Sequence, residues 1–288
     1  MKFGLALAGG GLKGVAYIGA IKALEELGIK IDCISGTSSG SFAAVLYAVG
    51  YSCNEIKDII LKSYKDLTKI ERRPIISTIG SYLTSKKLKI SGLIPGERLE
   101  DLVQKVVEKK SCSNISDINI PIAVSSVDTI SMKECIFMSK NFNLKNSNMD
   151  YIYDIPLGKA VRSSMAFPGI FTTSRYKQYN FIDGGTKDNL PVRALKDMGA
   201  DVTLGLSFKM DEYDIESENV FGVLLRTVDI FSQKQLKSAQ SEASIAIEID
   251  AKGTSLLSSD NIEKCISLGY DAIMENKNKI LKCCKIEK

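Results

Sequence analysis

Histidine is absent from this 288-residue chain. That absence removes Ser-His-Asp and Cys-His nucleophile systems, imidazole acid–base chemistry, and His-ligated zinc, iron or haem. Any reaction must fall to carboxylates, hydroxyls, thiols, amines or the backbone. Long uncharged apolar runs are missing too, and none approaches the roughly 18 to 20 residues that span a bilayer. The seven cysteines (33, 53, 112, 135, 265, 283 and 284) form no C-x-x-C pair, and Cys283 and Cys284 are adjacent. This scatter supports neither a metal site nor a disulfide framework; it fits free thiols in a reducing cytosol. No cofactor site is expected. A net charge of +4 with 25% charged residues is too mild to imply a nucleic-acid partner. The apolar opening, Met1 to Ala8, runs into Gly9-Gly10-Gly11 and Lys13 without a small-x-small cleavage pattern. It reads as a strand rather than a signal peptide, which makes a cytoplasmic protein the expectation.

What the chain does contain is alternation. Strand-like runs at Phe3 to Ala8, Ile29 to Ser35, Ile120 to Ser125, Glu134 to Met138, Tyr179 to Ile182, Val202 to Ser207 and Ile245 to Ile249 are separated by helical stretches. The helices are read at Val15 to Leu27, through Ala48 after Gly40, Cys53 to Asp66, Glu97 to Lys109, Leu157 to Met165, Val220 to Ala239 and from Asp260 onward. In the first of them Ile18, Ile21, Leu24 and Leu27 recur near helical spacing, and Gly28 stands where a helix stops. Strand–helix alternation predicts an α/β fold with three layers, α/β/α, around a mainly parallel central sheet. Without repeats or low-complexity linkers, one domain is expected. Residues 3–206 would form its core and residues 207–288 its helical and strand completion.

Three motifs carry the chemistry. Gly9-Gly10-Gly11-Leu12-Lys13-Gly14 follows a strand and opens a helix, so its backbone N–H groups can face negative charge at a helix start. A dinucleotide site and an oxyanion hole both use that arrangement. The dinucleotide reading wants an acid at the far end of the second strand, and the candidate, Asp32, sits inside it instead. What stands at that end is Gly36-Thr37-Ser38-Ser39-Gly40, a G-x-S-x-G elbow with Ser38 at the turn and glycines where the backbone passes its neighbours closely. With no imidazole available, a carboxylate is the natural base for Ser38, and lysine the next choice. Asp183-Gly184-Gly185 ends a strand and provides one.

This set resembles the patatin-like phospholipase family, lipid acyl hydrolases with a Ser-Asp dyad and a modified α/β-hydrolase architecture. The oxyanion loop, the elbow and the Asp-Gly-Gly block occur in the family's order. The stretch Ala160-Val-Arg-Ser-Ser-Met-Ala-Phe-Pro-Gly-Ile-Phe171 is also similar to bacterial members. The resemblance covers about residues 3 to 206 and does not reach the C-terminal third. It implies Ser38 as nucleophile, Asp183 as base, and Gly9, Gly10, Gly11 and Gly14 as the oxyanion loop. Lys13, Gly36, Gly40, Gly184 and Gly185 would support them, and no metal is required. The chain departs from the family at Lys13, where arginine is common, and at Tyr17, where bacterial relatives often carry histidine.

The expected activity is hydrolysis of phospholipid or other fatty-acyl esters through an acyl-enzyme on Ser38. Acyl transfer to an acceptor other than water, a catalytically silent lipid binder, and a dinucleotide-binding protein using Gly9 to Gly14 are the rival readings. A segment near residues 67–96 reads as a cap-like insertion. Within it, Lys69, Arg72, Arg73, Lys86, Lys87 and Lys89 face the single acid Glu71, with Ile75, Ile76, Ile79, Tyr82 and Leu83 interleaved. Peripheral contact of residues 69–90 with anionic membrane is the functional reading, and a solvated loop and helix packed on the domain is the plain one.

Overall fold

The computed structural model describes residues 1–68, 92–144, 146–210, 220–251 and 259–286, so the basic stretch 69–90 lies outside the described residues. The sheet is built outward from β1 (Phe3–Leu7), which is buried along its whole length. Period-two alternation gives β1 two different faces. Phe3, Leu5 and Leu7 enter one apolar cluster, while Ala6 and the following Ala8 enter another.

The strand order is β11 (Ile245–Ile249), β10 (Val202–Phe208), β1, β2 (Cys33–Thr37), β4 (Ile122–Asp128), β5 (Glu134–Met138) and β6 (Met149–Ile152). From β11 to β4 every pairing is parallel; β5 runs against β4, and β6 runs parallel to β5. β9 (Tyr179–Asp183) joins β4 antiparallel, and β8 (Ser174–Tyr176) pairs with β9. A separate small sheet pairs β3 (Gly92–Ile94) with β7 (Gly169–Phe171).

The larger cluster is covered by α1 (Ala16–Glu26), α2 (Ser39–Ala48), α3 (Cys53–Thr68), α4 (Glu97–Glu108), α5 (Leu157–Ser164) and α8 (Ser259–Glu275). The opposite face is covered by α6 (Val192–Asp197) and by Leu236 of α7 (Val220–Glu242). Each large side chain buried here contributes about 1.5–3 kcal/mol of transfer free energy. The layers are those the alternation predicts, and β11 and α8, from the C-terminal third, complete this same sheet and its cover. α8 lies directly on α1. A Cβ on Gly19 would fall 1.9 Å from the Ile266 carbonyl oxygen, and one on Gly269 1.8 Å from that of Ala16, so only glycine allows this approach.

Two differences from the sequence reading have clear causes. The second strand begins at Cys33, not Ile29. Ile29 and Ile31 are buried in the irregular connection that follows α1, and pairing starts only after the Asp32 N–H donates to the Phe3 carbonyl. The last helix ends at Glu275, and a short α9 (Lys277–Cys283) follows after Asn276. All seven cysteines are free thiols.

Candidate active site

β4 brings the site together. β5 occupies one of its edges, so β2 and β9 must share the other. β2 runs with β4 and β9 against it, and their carboxyl ends therefore meet. Thr37 lies opposite Ser125, and Asp183 opposite the next residue, Ser126. Ser38 is the residue after Thr37, so the register itself delivers Ser38 to Asp183.

Ser38 has φ 52° and ψ −125°, a conformation that favours glycine and that costs a serine on the order of 1–3 kcal/mol. The elbow is held from several sides. The Ser38 N–H donates to Ser164 Oγ at 2.9 Å, and the Ser38 carbonyl accepts from Ser41 Oγ at 2.6 Å and from the Ser41 N–H at 2.9 Å. The turn needs its flanking glycines, because a Cβ on Gly36 would meet the Gly40 carbonyl at 2.5 Å and one on Gly40 the Leu7 carbonyl at 2.3 Å.

Asp183 is buried at 1% exposure. Its Oδ1 accepts the Gly185 N–H at 2.8 Å, its own N–H donates to the Ala166 carbonyl at 3.0 Å, and its Oδ2 has no hydrogen-bond partner of good geometry among the described residues. Burial pushes the carboxyl up to about 6; the adjacent Ser38 hydroxyl and the Gly185 N–H pull the other way and recover only part of the shift. Gly184 presses on β4, where a Cβ would come within 2.5 Å of the Ser125 carbonyl.

The four glycines of the first loop have different tasks. The Gly9 N–H is committed to Asn189, at 3.0 Å to Oδ1 and 3.2 Å to the carbonyl. The Gly10 N–H reaches Ser39 Oγ at 3.2 Å, and a Cβ there would collide with the Phe208 ring at 2.3 Å. Gly11 is exposed at φ 58° with open space around it, whereas Gly14 lies against Ser39 inside the 3-10 turn Gly11–Val15. Gly9 is therefore not a free donor: Asn189 fixes it, and with it the base of the loop. Lys13 is in the same turn, its carbonyl accepting the Cys265 thiol at 3.6 Å. Tyr17 is fully buried and its hydroxyl donates to the Ala8 carbonyl at 2.7 Å, so it braces the loop from below.

Asp32 stands elsewhere. Its Oδ2 accepts the Phe3 N–H at 2.9 Å, at the amino end of the sheet and a strand's length from the glycine loop. An acid there cannot hold a ribose beside Gly9 to Gly14, so the dinucleotide arrangement is not built.

A sequence model described as patatin-like phospholipase matches residues 5–196. The chain belongs to the patatin-like phospholipase family. This patatin-like chain is 30% identical over 197 residues to lysophospholipase NTE1 of Lodderomyces elongisporus, covering 68% of its own length and 12% of that protein. Against lysophospholipase nte1 of Aspergillus fumigatus it is 27% identical over 262 residues, 91% of this chain and 15% of that one. It thus spans well under a fifth of the length of either relative. Among solved structures, VipD from Legionella pneumophila superposes with a TM-score of 0.55 at 16% identity, covering 96% of this chain and 67% of that one, a likeness of fold.

Four contributors carried no role in the sequence reading. Ser164 and Ala166 lie within the Ala160 to Phe171 stretch, whose likeness to bacterial members was the available signal, but no spacing shows that this stretch touches both Ser38 and Asp183. Ser39 was visible only as part of the elbow. Asn189 gave no signal at all.

Proposed function

We propose that this chain is a serine lipid acyl hydrolase of phospholipase A type, acting through Ser38 with Asp183 as base. The observation that carries this reading is the meeting of β2 and β9 on one edge of β4, which sets a strained, half-buried serine beside a buried carboxylate. As Ser38 Oγ bonds to the ester carbonyl carbon, its proton passes to Asp183 and the carbonyl electron pair moves onto oxygen. Collapse of that oxyanion expels the alcohol, which takes the proton back from Asp183. Water then repeats the sequence on the acyl-enzyme and releases the fatty acid.

For the oxyanion we assign the N–H groups of Gly10 and Gly11 and that of Ser39, the first residue of α2, where helix N–H groups have no carbonyl one turn back. Ser39 Oγ turns away from Gly10 as the oxyanion arrives. One well-placed donor of this kind is worth roughly 3–4 kcal/mol in other enzymes. A base held near 6 is stronger than an ordinary aspartate and is still ionised at neutral pH, as the task requires. Relatives named lysophospholipase support a fatty-acyl lipid ester as the substrate class.

The test is hydrolysis of a short p-nitrophenyl ester and of mixed phospholipid by wild type, Ser38→Ala and Asp183→Asn. Activity in wild type alone supports the dyad. Activity that survives both substitutions contradicts it, and folded but inactive wild type favours the silent lipid binder.

A further inference from the structure

Beneath the loop that follows Asp183, the sheet turns from apolar to polar. Cys33, Ala123 and Ile136 enter the smaller apolar cluster with Leu190 and Val192. By period-two alternation Ser35, Thr37, Ser125 and Glu134 stand on that same face. Ser35 Oγ donates to the Pro191 carbonyl and Thr37 Oγ1 to the Asp188 carbonyl, both at 2.8 Å. Lys187 Nζ donates to the Met132 carbonyl at 2.5 Å and ties the loop to the β4–β5 turn. Residues 184–191 thus rest on the sheet through polar contacts, and the site rests on them. The Gly185 N–H caps Asp183, the Asp188 carbonyl holds the residue before Ser38, and Asn189 fixes Gly9.

Within this seam two carboxyls touch. The side chains of Glu134 and Asp188 hydrogen-bond to each other, and a bond between two carboxyl groups needs one proton. Burial is the chief cause that raises both. Asp188 raises Glu134 further, while the Leu190 N–H, 3.1 Å from Asp188 Oδ1, and Glu134 itself hold Asp188 down. The proton therefore belongs to Glu134, which donates it to Asp188.

The groups that face the pair do not compensate a second charge. Arg193 from α6 and Lys187 of the loop favour ionisation but are exposed, and Glu242 at the end of α7 opposes it. Tyr151 on β6 and the neighbouring Cys135 also feel the charge of Glu134, and burial keeps both neutral. Glu134 Oε1 is buried without a partner among the described residues. Removing the proton sets two like charges in contact at the join between sheet and loop, and their repulsion drives the loop away.

We propose that Glu134 and Asp188 are positioning residues that share one proton, and that the proton-bound pair clamps residues 184–191 to the sheet, keeping Asp183, the Ser38 elbow and the oxyanion loop aligned. Loss of that proton releases the clamp and disarms the site. The proposal deepens the acyl-hydrolase reading and rests on it for its rate measurement, but not for its structural one. Asp183 as base gives the reaction an acid limb only; the clamp adds an alkaline one.

The experiment uses Glu134→Gln, whose amide N–H can donate to Asp188 at any pH, and Asp188→Asn, which makes the same bond from the other side. Glu134→Ala removes the contact. Steady-state hydrolysis of a p-nitrophenyl ester is followed from pH 5 to 9, and amide hydrogen exchange of peptides covering 184–191 and 9–14 is compared between the proteins at each pH. Past the ionisation of the pair, wild-type kcat is expected to fall about tenfold per pH unit, and the ratio of the Gln variant's kcat to it to rise by the same factor. Glu134→Ala should be slower at every pH, through kcat more than KM, with Gln restoring what Ala loses. Exchange of both segments should match in wild type and Glu134→Gln at pH 6 and be faster in wild type at pH 9. Wild type without an alkaline limb overturns the proposal, as does a limb that persists in both amide variants, or exchange that never separates the proteins. If Glu134→Gln does not fold, Asp188→Asn carries the same comparison. Absence of esterase activity from every protein removes the acyl-hydrolase reading, and the exchange comparison then decides the clamp by itself.

Discussion

Replacing Asp183 by asparagine separates what the site costs the fold from what it gives the reaction. In the folded protein the carboxyl is raised from an ordinary value of 3.8 to about 6, chiefly by burial. A raised acid binds its proton more tightly folded than unfolded, so stability falls as pH climbs from the unfolded value through the folded one. Below about 4 the penalty is nearly absent, and above 6 it is complete. A displacement of roughly two units corresponds to about 3 kcal/mol. Asparagine carries no charge, can still accept the Gly185 N–H through its Oδ1, and sets its amide N–H beside the Ser38 hydroxyl, which can accept it. Asp183→Asn is therefore expected to be more stable than wild type by about 3 kcal/mol at pH 8, and by less than about 1 kcal/mol at pH 4. At about 2 °C per kcal/mol for a chain of this size, the Tm gain is roughly 6 °C at pH 8. Calorimetric melts across pH 4 to 8, alongside ester hydrolysis, make the check. A stability difference that is flat with pH refutes the reasoning, and so does retained activity.

Other substitutions probe the supports. Ser38→Gly should stabilise the protein by about 1–2 kcal/mol relative to Ser38→Ala, because only glycine relaxes at φ 52°; equal denaturation midpoints would remove the strain argument. Ser164→Ala leaves the Ser38 N–H without its acceptor, costing about 1–3 kcal/mol, and should lower kcat more than it raises KM. An unaltered kcat would make that hydrogen bond incidental. Glu134 and Asp188 are neighbouring carboxyls, both raised chiefly by burial; Asp188 raises Glu134 further, whereas hydrogen bonding from the Leu190 N–H and with Glu134 holds Asp188 down, and among the described residues Glu134 Oε1 has no partner. Both should therefore cost stability as pH rises above the ordinary carboxylate range, and Glu134→Gln should flatten the slope of Tm against pH between about 5 and 8. An unchanged slope would mean that the pair is not strained.

The parts legible in the sequence were those fixed by local rules. β1, the glycine loop, the Ser38 elbow and Asp183-Gly184-Gly185 announce themselves through apolar runs and through glycines where the backbone has no room for a side chain. The layered, mostly parallel fold follows from alternation. The parts not legible depend on pairing over long separations. Nothing near Tyr179 says that β9 will share an edge of β4 with β2, yet that register brings Ser38 beside Asp183. The strands β7 and β8 are three residues each, too short for a periodic pattern. Ile29 and Ile31 look like strand but are buried in an irregular connection. Gly9 reads as an oxyanion donor until Asn189, 180 residues away, is seen to hold its N–H.

The central claim is that Ser38 carries the acyl group and Asp183 activates it. The most direct measurement is a rapid-quench reaction with a p-nitrophenyl ester, followed by peptide mass mapping of the modified protein. The account predicts a burst of p-nitrophenol and an acyl mass on the peptide containing Ser38, with the burst lost in Ser38→Ala and strongly slowed in Asp183→Asn. An acyl group on any other residue, or a burst of undiminished rate in Asp183→Asn, would contradict it.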